Sequence, residues 1–196
     1  MLRHITTTLA VIGIGLIVGC IAATPTINTP VRQGPAVAAP TYRNGAQWTY
    51  EIIRSTGNND KLQIRYRAGK FENDNQATFD NYFAATVYRP DGELKPLNFP
   101  LTPGKTWNYR YQGTSRGRTQ WRDAEVKVIG PTAQPVKTKA GQFKAVEIQR
   151  IETWGNAQRT STYFYSPDTG SVIKMVADTV SPTTNVRLEM ELVKYN

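Results

Sequence analysis

Between Asn185 and Tyr195 the chain alternates strictly. Val186, Leu188, Met190 and Leu192 fall on one parity, and Arg187, Glu189 and Glu191 on the other. Period two marks a strand with one buried face and one wet face. No stretch carries a comparable helical period over ten residues. The Asn- and Asp-rich run Phe71–Phe83 is the one place where a short helix is considered. Further β-rich runs precede the last strand: Gln47–Arg54, Leu62–Arg67, Tyr82–Tyr88, Thr106–Tyr111, Trp121–Ile129, Phe143–Thr153, Thr160–Tyr165 and Val172–Val180. Between them lie turn signals such as Gly57-Asn58-Asn59-Asp60, Pro90-Asp91-Gly92, Pro103-Gly104, Ala140-Gly141 and Ser166-Pro167-Asp168-Thr169-Gly170. Pro presets φ, Gly supplies positive φ, and Asn and Asp bond their own backbone. Regular strands joined by short turns predict an all-β fold, an antiparallel meander. So many strands would coil into a curved sheet or open barrel.

The N-terminus reads differently. Arg3 precedes an apolar run from Leu9 to Val18, which ends at Gly19-Cys20. That run is shorter than the roughly 20 residues a membrane-crossing helix needs. It fits a secretory signal: charged start, apolar middle, small residue at the cut. Cys20 is the only cysteine in 196 residues. The residues Ile17-Val18-Gly19-Cys20 resemble the lipobox of bacterial lipoproteins. The resemblance implies that residues 1–19 are removed and that Cys20 carries the lipid, with palmitate among its acyl chains. It also implies that the protein faces the periplasm. Ile21 stands where related enteric proteins place Asp to stay at the inner membrane, so the resemblance points to the outer membrane.

From Cys20 to Thr41 the chain is rich in Pro, Ala and Thr and has no periodic apolar face. Such composition predicts a disordered tether. A coil of this length would reach roughly 25 Å. Residues 42–196 then form a single β domain, large enough to bury a core without disulfides.

Two motifs echo each other. Gly45-Ala46-Gln47-Trp48-Thr49-Tyr50 and Gly104-Lys105-Thr106-Trp107-Asn108-Tyr109 share G-x-x-W-x-Y. Residues two apart in a strand share a face. Trp48, Tyr50, Trp107 and Tyr109 are therefore candidate walls of a ligand cavity, or large core side chains that open two equivalent strands. Lys139-Ala140-Gly141-Gln142-Phe143-Lys144-Ala145, Tyr163-Phe164-Tyr165-Ser166-Pro167-Asp168-Thr169-Gly170 and Phe99-Pro100-Leu101-Thr102-Pro103-Gly104 resemble a β-rich, largely uncharacterised envelope-domain family of Gram-negative bacteria. The curved sheet this implies is similar in outline to the lipid carriers of lipoprotein sorting, though no amphipathic lid helix is visible.

Chemistry is narrowly bounded. The sole histidine, His4, lies in the signal. Without His or a free thiol, Ser-His-Asp and Cys-His catalysis and His- or Cys-based zinc sites have no ligands or bases. Asp123, Glu125, Glu147 and Glu152 remain as possible carboxylate catalysts, but cross-strand charge pairing explains them more simply. No catalytic residue, metal or cofactor is expected. The net charge of +9 suits anionic envelope partners, not nucleic acid, which a periplasmic domain does not routinely meet. Arg116, Arg118 and Arg122 interleave with Trp121 and form a candidate interaction patch. Two functions follow as expectations. One is a non-enzymatic module that binds an envelope protein and supports an assembly. The other is a binder of a lipid or other small apolar ligand on the concave face; an anionic glycan is a further candidate partner, met by the basic surface.

Overall fold

The computed structural model describes residues 26–57, 59–73, 87–88, 94–115, 118–131 and 135–196. Among the described residues, eleven strands form two antiparallel sheets. β1 (Gln47–Arg54), β2 (Asn59–Arg67) and β3 (Lys70–Asn73) form one meander. β4 (Thr106–Ser115) and β5 (Arg118–Pro131) begin a second. It continues through β8 (Val146–Trp154), β9 (Ala157–Ser166), β10 (Ser171–Ser181) and β11 (Thr184–Tyr195). The last strand lies against the first, so the nine strands run in the order β3-β2-β1-β11-β10-β9-β8-β5-β4. The sheet is curved and does not close; β3 and β4 are its edges. β6 (Val136–Thr138) and β7 (Gly141–Phe143) form a separate small hairpin between β5 and β8.

The alternation read in the last strand holds. Leu188, Met190 and Leu192 are buried, and the charged residues between them point away. Their neighbours on the same face are Trp48, Tyr50 and Ile52 of β1, Tyr163 and Tyr165 of β9 and Ile148 of β8. This inward face carries the core, and Val37, Tyr42, Leu97, Phe99 and Leu101 pack against it from outside the sheet.

Three expectations bear comparison with the structure, and two of them change. Phe71 to Asn73 belong to strand β3, not to a helix; the remainder of that run lies outside the described residues. Of the strand expected at Tyr82–Tyr88 only Val87 and Tyr88 are described, and Val87 bridges to Ser171. The tether is the third. Over residues 26–41 the chain is extended and packed on the domain instead of disordered. Ile27 is only 5% exposed, on the outward face of β5 and β8. Its amide donates to Glu125 Oε1 at 3.2 Å, and Lys127 Nζ donates to the carbonyls of Ile27 and Thr29. The Arg32 amide bonds the Ile129 carbonyl at 2.7 Å, Arg32 pairs with Glu147, and Val37 bridges to Leu101. Composition missed this because two isolated apolar side chains and backbone pairing suffice to hold an extended strap. Gly130 makes room for it. At φ 119°, a Cβ there would lie 2.3 Å from the Arg32 carbonyl oxygen.

Candidate functional site

Along each central strand the inward face changes character from one end to the other. Near the Ser166–Gly170 turn it is apolar. Towards the hairpin turns joining β8 to β9 and β10 to β11 it becomes polar and charged. In β5 the inward series reads Val128, Val126, Ala124, Arg122, then Gln120 and Arg118. In β8 it reads Val146, Ile148, Arg150, Glu152, and in β9 Tyr165, Tyr163, Ser161, Arg159. The charged residues keep the phase of the buried ones. That in-phase charge is the signal in the sequence that marks this site.

Glu152 sits at the centre and is fully buried. Register places it opposite Arg159 on β9 and opposite Ala124 on β5. One carboxylate oxygen accepts from the Tyr111 hydroxyl and faces Arg122 Nη1 at 3.7 Å. The other accepts from Arg150 Nη2 at 2.9 Å and faces Arg159 Nη1 at 4.0 Å. Burial pushes the Glu152 carboxyl up to about 7, against the pull of the Arg159 guanidinium. Arg150 also donates to the Tyr109 hydroxyl at 2.9 Å. Burial raises that phenol to about 12, with the Arg150 charge opposing. A single carboxylate thus gathers three guanidinium groups from three adjacent strands.

Above this cluster opens a basin of about 670 Å³, lined by Arg54, Arg118, Arg122 and Arg159 among others. Gln120 and the hydroxyls of Thr179, Ser181, Thr183 and Thr184 supply neutral polar groups; Ala157, Val186 and Leu188 supply apolar wall. Trp154 stands among the cations. The Arg122 guanidinium lies 4.5 Å from its ring centre and that of Arg159 5.6 Å. Such stacking aligns the guanidinium planes without consuming their donors. Gly113 opposes Gln120 on the neighbouring strand and leaves space for Arg122. A Cβ at Gly113 would lie 2.2 Å from Arg122 Nε.

The structure redistributes the residues singled out from the sequence. Arg122 is not on an exposed patch; it is 3% exposed and belongs to the cluster around Glu152. Arg118 is exposed and lines the mouth of the same basin. Arg116 and Cys20 lie outside the described residues. Trp48, 1% exposed, is packed among Tyr42, Phe71 and Tyr195 and donates to the Thr169 carbonyl at 2.9 Å. Tyr50 is fully buried. Trp107 donates to the Lys95 carbonyl at 2.7 Å, and Tyr109 stacks on Tyr111. Five strands separate β1 from β4 in the sheet, so the two motifs start corresponding strands far apart. Among the acids, Asp123, Glu125 and Glu147 occupy the outward face, and Glu152 alone faces inward. Among the described residues, no group of His, Cys, Asp and Glu is arranged to hold a metal. None of their helices is long and apolar enough to cross a membrane.

No protein-family model matches the chain, and no curated protein does. Among solved structures it is similar to that of a "putative lipoprotein" from Parabacteroides distasonis ATCC 8503. The two share 10% identity at a TM-score of 0.44, over 83% of this chain and all of the other.

Proposed function

We propose that this chain is a lipid-anchored, non-enzymatic binding module of the cell envelope. Cys20 is the anchor, and the arginine-lined basin of the inward face is where an anionic partner seats. The outer membrane, periplasmic side, is its place. One observation carries the binding half of this reading. Four arginines from three strands (Arg54 on β1, Arg118 and Arg122 on β5, Arg159 on β9) converge on one cavity, backed by the buried Glu152 carboxylate. Guanidinium forks match carboxylate and phosphate oxygens, and several together discriminate for negative charge. The lipobox residues carry the anchoring half. The basin shifts the ligand away from the purely apolar one that the aromatic motifs suggested, because Trp48 and Tyr50 are committed to packing.

Native mass spectrometry on the full chain extracted from envelopes tests the reading. The expected result is a reproducible added mass that is lost in the Arg118→Gln, Arg159→Gln double variant. An added mass that survives in that variant would move the binding site elsewhere.

A further inference from the structure

The two edges of the large sheet are not alike. β3, at one edge, has four residues and puts Lys70 and Glu72 on its exposed side. Shortness and charge are common ways of blunting an edge. β4, at the other, has ten residues, Thr106–Ser115, without Lys, Asp, Glu or Pro. Among the described residues its one strand partner is β5. Antiparallel pairing turns about half of its N–H and C=O groups away from β5, towards the edge.

A hollow of about 640 Å³ follows that edge, and residues 108–112 all line it. Successive side chains of a strand point to opposite faces. A cavity that meets five residues in a row therefore lies along the backbone edge and not on either face. Lys95 and Trp121 flank it. On the outward side Arg110 is the one charged residue of β4. It is turned back across the sheet instead of guarding the edge. Its guanidinium lies 5.1 Å from the ring centre of Trp121, and its Nε lies 3.4 Å from Asp123 Oδ1, both on β5. On the inward side the rings of Tyr109 and Tyr111 stack at 5.8 Å.

We infer that this edge docks an extended acidic segment of another protein, which adds to the sheet as a further strand. Backbone pairing supplies affinity in this mode, and the side chains beside it supply choice. Charge selects the partner. Lys95 and Arg110 line the hollow, with no carboxylate among its described walls. The pair of Arg110 with Asp123 is exposed on both sides, so it holds Arg110 weakly. A second copy of this chain would bring another Lys95 and Arg110 to the same seam, on top of a net charge of +9. An acidic strand meets no such opposition. Residues directly opposite across two strands share a face. The segment thus carries a carboxylate facing Arg110, between β-branched or aromatic residues facing Tyr109 and Tyr111. This surface lies beyond the basin, and its use does not depend on the basin.

The test uses the full chain in a neutral detergent and two capped, dye-labelled peptides. The acidic one is Thr-Val-Thr-Val-Glu-Val-Thr-Val-Thr, and the basic one has Lys in place of Glu. Fluorescence anisotropy reads affinity, and amide hydrogen exchange reads place. The acidic peptide should bind at least about tenfold more tightly than the basic one. It should slow exchange in Thr106–Ser115 and not in Lys70–Asn73. Arg110→Glu should reverse the preference, so that the basic peptide binds better, an outcome that a merely unfolded variant cannot give. Lys194→Gln, on an exposed residue of β11, should change neither affinity. Absence of binding, equal binding of the two peptides, or a preference untouched by Arg110→Glu overturns the inference. A peptide whose binding falls in the Arg118→Gln, Arg159→Gln variant and not in Arg110→Glu sits in the basin, and overturns the edge assignment. If every β4 amide is already slow in the peptide-free monomer, the edge is paired within the chain and the inference falls. A concentration-dependent dimer protected over the same strand would give the edge to a second copy instead.

Discussion

Glu152 concentrates the electrostatics of the molecule into one side chain. A carboxyl pushed up to about 7 by burial holds its proton more tightly in the folded protein than in the unfolded chain, where it titrates near 4.3. The sign follows. Its stabilising contribution is complete below about pH 4 and is lost as pH rises through about 7. Urea unfolding between pH 4.5 and 8 should show stability falling by at most about 3 kcal/mol from this group. Glu152→Gln should remove that slope; an unchanged slope would assign it to another group. Gly113 is the second sensitive residue. A methyl group there collides with Nε, Cδ and Cζ of Arg122, which is buried against Trp154 and Tyr111 and has little room to retreat. Gly113→Ala should cost about 1–3 kcal/mol in unfolding free energy, as overpacking does. It should also displace Arg122 from Trp154, visible as a changed Trp154 emission in a variant that lacks the other tryptophans. A thermal midpoint within error of wild type would show that Arg122 moves aside freely.

Among the elements, β11 and the strap carry the consequences. β11 joins the two meanders, pairing with β10 on one side and β1 on the other, so the β1–β3 unit reaches the rest of the sheet through it. The strap is held at the amides of Arg32 and Val37, which bond the carbonyls of Ile129 and Leu101. Native-state hydrogen exchange should find those two amides slower than their neighbours Gln33 and Ala38, whereas a free tether would exchange uniformly at once. Strands were the legible part of this fold. Alternation and turn residues place β1, β2, β4, β5 and β8 to β11 within a few residues of where they lie, since each has one buried face long enough to show its period. β3, β6 and β7 were not legible as strands because three or four residues are too few to show a period. The pairing of β1 with β11 was hidden for another reason: contacts between chain ends leave no local mark. The site was half legible. Arg118 and Arg122 drew attention as basic residues among aromatics. Their assembly with Arg54 and Arg159 depends on strand order, and the value of Glu152 depends on burial, neither of which a run of letters displays.

At the scale of the whole molecule, the question is how a curved sheet with a cationic basin is presented to its surroundings. Near its N-terminus the chain carries Arg3, an apolar run and Gly19-Cys20, and its net charge is +9. If Cys20 is acylated, two lipid signals combine: methylene burial at about 0.8 kcal/mol each and attraction of the positive chain to anionic headgroups. A free tether of twenty residues would let the domain tumble, whereas here the chain is held on the domain from Ile27 onward. Cys20→Ala should leave the precursor signal uncut and the chain without acyl groups, as read by intact-mass measurement. The Arg118→Gln, Arg159→Gln variant should stay in the membrane fraction through salt washes, because the acyl chains suffice for residence. Lipidated protein in which Ile27→Asp has freed the strap should keep the anchor but let the domain tumble. On vesicles carrying a fluorescent headgroup, its Trp154 should then transfer energy to the lipid less efficiently than in wild type. Equal transfer in the two would show that the strap does not restrain the domain at the membrane.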